Sequence, residues 1–103
     1  MSVALVIEKV NGVQKNDYLP LSGQHFFNEV WMPLCELYEL KWVPLFKTGF
    51  TFNENDLPFI IEELRFLKEC TASLDNDKLK DRLNILIEKL ETLRGQTSSF
   101  FIG

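Results

Sequence analysis

Few side chains of this chain have the type and spacing that chemistry requires. His25 is the only histidine, and it stands one helical turn before Glu29, so the two could form an acid–base pair. Both residues fall on the predicted polar side of a helix, where such a pair has a structural role or none. A lone histidine also excludes a zinc site built from several histidines.

Asp75-Asn76-Asp77 resembles the opening positions of a calcium-binding loop. An EF-hand loop would also need an oxygen ligand near Leu79, a glycine in place of Lys80 and a glutamate in place of Leu86. The triplet is instead typical of a helix cap, with acids near the positive end of the helix dipole. No phosphate-binding loop or nucleophile elbow occurs. The sequence predicts no catalytic residue, metal or cofactor, and an enzyme is not indicated.

The two cysteines, Cys35 and Cys70, are predicted to be core thiols, because each lies among apolar neighbours in a predicted helix. The apolar run at residues 3–7 is too short for a signal peptide and is followed by Glu8. No stretch has the length of a membrane span. The sequence therefore predicts a cytoplasmic protein that does not interact with membranes.

Acidic residues concentrate in one stretch of the chain. The whole chain has 15 acids and 11 bases, whereas residues 29–63 alone contain seven acids and two bases. If these acids converge, they form a face that attracts a basic partner; otherwise they are the solvated sides of two helices. Without a basic cluster, the chain is not expected to bind nucleic acid. The acids predicted to contribute to binding are Glu29, Glu36, Glu62 and Glu63.

Phe59 and Phe66 are a second candidate binding feature. They stand seven residues apart in a predicted helix, nearly opposite its main apolar stripe. Either the next helix covers the two rings, or they form an exposed patch for another chain. The presence of an adjacent helix favours the first alternative.

Two classes of function are compatible with these features. In the first, a small acidic module binds a basic protein; toxin-neutralising immunity proteins and antitoxins share this size and charge, but no motif links the chain to them. In the second, Phe59, Phe66 and an edge strand containing Pro44 build a homodimer contact or a pocket for a small ligand.

A β-hairpin is predicted at the start of the chain. Residues 3–10 concentrate β-branched valine and isoleucine, which favour a strand. Asn11-Gly12 stands between Val10 and Val13 and favours a two-residue turn, so a second strand is predicted over residues 13–19. Pro20 is predicted to end the second strand, because proline cannot donate a hydrogen bond to the ladder.

A helix capped by Ser22 is predicted to follow, with a bend near Glu29 to Pro33 because proline interrupts helical hydrogen bonding. Residues 42–52 are predicted to form a strand. Pro44 indicates an edge position or a late start of this strand, and Gly49 indicates a bulge or a close backbone approach.

Two further helices and a last strand complete the predicted order. Asp75 is predicted to cap the last helix, Gly95 to end it, and residues 99–102 to return to the sheet. The order β-β-α-β-α-α-β over residues 1–103 predicts one α+β domain, with helices on one face of a small, mostly antiparallel sheet. The apolar stripes of the two helices are Leu57, Ile60, Ile61, Leu64 and Leu67, and Leu79, Leu83, Leu86, Leu90 and Leu93.

Overall fold

A four-stranded antiparallel sheet forms the base of the fold in a computed structural model that describes residues 2–103. Its strand order is β2-β1-β4-β3. Helices cover one face of the sheet, which confirms the predicted α+β class and the predicted element order. The strands are β1 (Ser2–Val10), β2 (Val13–Gly23), β3 (Phe50–Asn53) and β4 (Ser98–Ile102).

The first two strands form the predicted hairpin. Asn11 has φ 52° and Gly12 has φ 79°, the positive values that a type I′ turn requires. The prediction that Pro20 ends β2 is wrong, because β2 continues to Gly23 and Pro20 pairs with Ala4. An edge strand has a neighbour on one side only, so it can accommodate a residue that lacks an N–H group.

The first helical region runs without a break through α1 (Gln24–Phe26), a π-helical turn (Phe27–Trp31) and α2 (Met32–Leu37). The π-helical turn overlaps the range predicted to bend, Glu29 to Pro33, and directly precedes the turn that contains Pro33. Ser22 does not cap this region, contrary to the prediction. It belongs to β2, and its hydroxyl donates to the carbonyl of Gly23.

The predicted strand over residues 42–52 is wrong for most of its length. Val43–Phe46 forms a 3₁₀ helix with Pro44 in its first turn, where the fixed φ of proline suits a helix. Gly49 follows with φ 89°, and only then does β3 begin at Phe50. The short helix places Trp42 at its N-cap rather than in the sheet.

Two longer helices, α3 (Leu57–Cys70) and α4 (Asp77–Glu91), supply most of the helical side of the core. Asn76, not Asp75 as predicted, caps α4 by accepting a hydrogen bond from the backbone N–H of Leu79. Both predicted apolar stripes are buried, which confirms them. They pack with sheet residues that include Leu5, Ile7, Phe52, Phe100 and Ile102.

The two cysteines differ in accessibility. Cys35 is 1% exposed, and burial, with the charge of Glu63 as a second cause, raises the pKa of its thiol to about 12. Cys70 is half-buried, so the prediction of a core thiol is confirmed for Cys35 and only partly for Cys70.

Iodoacetamide at pH 8 is therefore expected to modify Cys70 well before Cys35 in the folded protein, because the thiolate is the reactive form and must be accessible. Peptide mass spectrometry would locate the modification, with urea-unfolded protein as the control in which both sites react. Comparable rates at the two cysteines in the folded protein would contradict the burial of Cys35.

Candidate functional site

A surface groove of about 380 Å³ lies between α3 and the segment that joins α2 to the 3₁₀ helix. We call it the aromatic–acidic groove, because rings and carboxylates dominate its walls. Three carboxylates and one ammonium group line it, so its formal charge is negative. The lining residues are Tyr38, Glu39, Leu40, Lys41, Trp42, Phe59, Glu62, Glu63 and Phe66.

One wall of the groove is a single face of α3. Phe59, Glu62, Glu63 and Phe66 stand at positions i, i+3, i+4 and i+7, the spacing that brings side chains onto one side of a helix. The two carboxylates therefore lie between the two rings along the helix axis. At 1.5 Å per residue, the backbone positions that carry the two rings are about 10.5 Å apart along α3.

The opposite wall pairs each of these rings with another aromatic side chain. Phe59 stacks on Trp42 with ring centroids 5.9 Å apart and an interplanar angle of 8°. Phe66 meets Tyr38 edge to face, with centroids 6.0 Å apart. The groove thus has an aromatic pair towards each end and carboxylates between them.

The expectation that the next helix covers Phe59 and Phe66 is wrong. Phe59 is 57% exposed and Phe66 is 45% exposed. The helix α4 packs along a different side of α3, where Arg65 donates to Glu91 over 2.9 Å. The second alternative from the sequence, an exposed aromatic patch, therefore describes these two rings.

Glu63 has a structural partner that the sequence does not reveal. Its carboxylate accepts three backbone hydrogen bonds, from Lys41 (2.9 Å), Trp42 (2.8 Å) and Val43 (2.8 Å). Three successive N–H groups at the start of a helix are otherwise without intrahelical acceptors. Glu63 therefore caps the 3₁₀ helix from α3, and in doing so it fixes the backbone that carries the Trp42 ring.

The structure brings together four of the six residues predicted to bind. Phe59, Phe66, Glu62 and Glu63 line the groove, and Glu62 is exposed without a hydrogen-bond partner within residues 2–103. The other two, Glu29 and Glu36, are exposed on the first helical region and do not line the groove.

Five further lining residues were not identified as site residues from the sequence: Tyr38, Glu39, Leu40, Lys41 and Trp42. They stand within five consecutive positions of an aromatic and charged segment that links two elements. The sequence interpretation assigned Trp42 to a strand. The sequence feature that could have identified them is the presence of two aromatic residues in one segment that connects two elements.

Neither a metal-binding cluster nor the hydrogen-bonded His25–Glu29 pair is found within residues 2–103. Within residues 2–103, no group of three histidine, cysteine, aspartate or glutamate side chains could hold a metal ion. His25 is exposed and forms no hydrogen bond with Glu29 in the same range. No helix in residues 2–103 is both long enough and apolar enough to cross a membrane.

Comparison with protein families, with curated proteins and with solved structures finds no match to this chain.

Proposed function

We propose that this chain is a protein-binding module whose aromatic–acidic groove holds a basic segment of another protein. The observation that carries the proposal is a single groove lined by the exposed carboxylates of Glu39 and Glu62 and by two aromatic pairs, each with one exposed ring. Arginine and lysine are the side chains that fit such a surface. Their cationic heads are attracted to ring faces and carboxylates, and their aliphatic stems pack on apolar area.

The charge distribution supports a basic rather than an acidic partner. Glu39 and Glu62 form no ion pair within residues 2–103, while Lys41 is the only cationic side chain lining the groove. The net negative charge of residues 29–63 adds a longer-range field that would steer a basic partner.

The spacing of Phe59 and Phe66 along α3 indicates which sequence pattern the partner segment should have. An extended peptide advances about 3.3 Å per residue, so the rise of about 10.5 Å between the α3 positions of Phe59 and Phe66 is close to three residue steps. We therefore expect apolar side chains at positions i and i+3, with at least one basic side chain between them.

As part of the same proposal, the protein acts in the cytoplasm and neutralises or recruits its partner by binding. Both cysteines are free thiols, which is usual in a reducing compartment. Binding without catalysis is the mode of action of immunity proteins and antitoxins, to which the chain compares in size and charge only.

A short peptide is expected to bind the groove and to depend on its central basic residues. The probe is Ac-GLRRLG-NH2, titrated at millimolar concentration against labelled protein while the indole resonance of Trp42 is followed by NMR. We expect a saturable shift that weakens as salt rises, because partly exposed ion pairs are screened. The peptide Ac-GLQQLG-NH2 should bind at least about fivefold more weakly.

The substitution Phe59→Ala should weaken binding of the arginine peptide by about fivefold or more, because it removes a ring that the groove presents. Tyr18→Ala is the matched control, since Tyr18 is 61% exposed on β2 and lies outside the groove. Equal binding of both peptides, or equal losses in both variants, would contradict the proposal. A concentration-dependent dimer that buries the groove and excludes the peptide would instead favour the homo-oligomer alternative.

A further inference from the structure

Glu39 has a backbone conformation that is unusual for glutamate. Its φ is 54°, in the left-handed region that L residues with a Cβ rarely adopt. The residue follows the end of α2, where Glu39 N–H donates to the carbonyl of Glu36 and Leu40 N–H donates to that of Cys35. These two bonds are those of a Schellman motif, in which glycine is the usual residue at this position.

Among the residues that the structure describes, the glutamate side chain at this left-handed position makes no stabilising contact that glycine would lack. Within residues 2–103, its carboxylate forms neither a hydrogen bond nor an ion pair, and the side chain is exposed. Glycine would satisfy the same two backbone hydrogen bonds without the steric cost of a Cβ. The side chain does line the aromatic–acidic groove, on the wall opposite α3.

We infer that Glu39 is a binding residue of the groove, and that it and Glu62 together bind one guanidinium group of the partner. This inference rests on the proposed function and adds to it the identity of the basic side chain, arginine, and a residue that recognises it. Glu39 belongs to the connecting segment and Glu62 to α3, so the two carboxylates approach the groove from opposite walls.

Arginine fits this arrangement better than lysine. A guanidinium group is planar and has five N–H donors in a fixed fork, so different edges of it can meet different carboxylates. Its flat face can also stack on a neighbouring ring. Glu63 is not part of this recognition, because its carboxylate is already occupied by the backbone N–H groups of residues 41–43.

The test combines thermal unfolding with peptide titration for Glu39→Gly and Glu39→Gln. Glu39→Gly is expected to raise Tm by about 4 °C, because glycine adopts positive φ without strain. Glu39→Gln keeps the Cβ and should leave Tm nearly unchanged. Both variants should bind Ac-GLRRLG-NH2 about two- to fivefold more weakly, the effect of losing one partly exposed charge contact.

Two controls test whether the effect is specific to Glu39 and to arginine. Glu36→Gln removes a carboxylate from the same helical region but outside the groove, so it should leave the affinity for the peptide within error. For the wild-type protein, Ac-GLKKLG-NH2 should bind more weakly than the arginine peptide, and this preference should shrink in Glu39→Gln.

Unchanged peptide affinity in both Glu39 variants, or equal affinity of the wild type for the arginine and lysine peptides, would overturn the inference. If Phe59→Ala still weakens binding in that case, the groove remains the binding site and only the role of Glu39 is lost. If the arginine peptide binds no better than the glutamine peptide, the proposed function itself fails.

Discussion

Replacing Leu83 by alanine is expected to lower the free energy of unfolding by about 2–5 kcal/mol, because it removes buried methyl groups and leaves a cavity. Leu83 is fully buried at the centre of the stripe of α4 and packs within the main core cluster. Urea unfolding followed by circular dichroism would measure the change, with the slope of the transition unchanged if the native and denatured states stay comparable.

Ile85→Ala is the matched control on the same helix. Ile85 is 38% exposed, so truncating its side chain should cost well under half of the Leu83 effect. Similar midpoint shifts for the two variants would mean that α4 does not present the face containing Leu83 to the core.

The second large effect is expected for Glu63→Ala, which should lower the free energy of unfolding by about 2 kcal/mol. The substitution leaves the N–H groups of residues 41–43 without their carboxylate acceptor. Those of Trp42 and Val43 are partly shielded from water, so solvent replaces the lost bonds incompletely. Thermal and urea unfolding would both report the loss.

Glu62→Ala is the neighbouring control, because Glu62 has the same charge and helix but no hydrogen-bond partner within residues 2–103. It should change stability by less than about 0.5 kcal/mol and should weaken peptide binding instead. The two adjacent glutamates are thus expected to have different roles: Glu63 stabilises the fold, and Glu62 binds the ligand. Equal stability losses would disprove this division.

The sequence was sufficient to predict those elements whose patterns are local. The Asn11-Gly12 turn and the leucines of α4 follow from turn chemistry and helical periodicity, and both are observed. The strand predicted over residues 42–52 failed because a carboxylate about 20 residues away stabilises a 3₁₀ helix there. The prediction that Pro20 ends β2 was wrong because proline interrupts a strand less at the edge of a sheet, and β2 lies at an edge.

Only part of the candidate site could be predicted, because only one of its walls has a local sequence pattern. One wall of the groove could be predicted, because the sequence shows helical spacing for the residues that form it: Phe59, Glu62, Glu63 and Phe66. The other wall is a connecting segment whose conformation depends on Glu63 and on the left-handed turn at Glu39. Charge counting could not show that Glu29 and Glu36 lie outside the groove.

The position of β4 has a consequence for the order in which the protein folds. β4 lies between β1 and β3, and Ile102 pairs with Leu5 and with Phe50. During synthesis, β1 and β2 can form their hairpin early, but the centre of the sheet must wait for a segment that is made about 90 residues later. Until then, the apolar edge of β1 has no native partner and is open to pairing with other chains. Nascent chains of this protein are therefore expected to aggregate more readily than the finished fold.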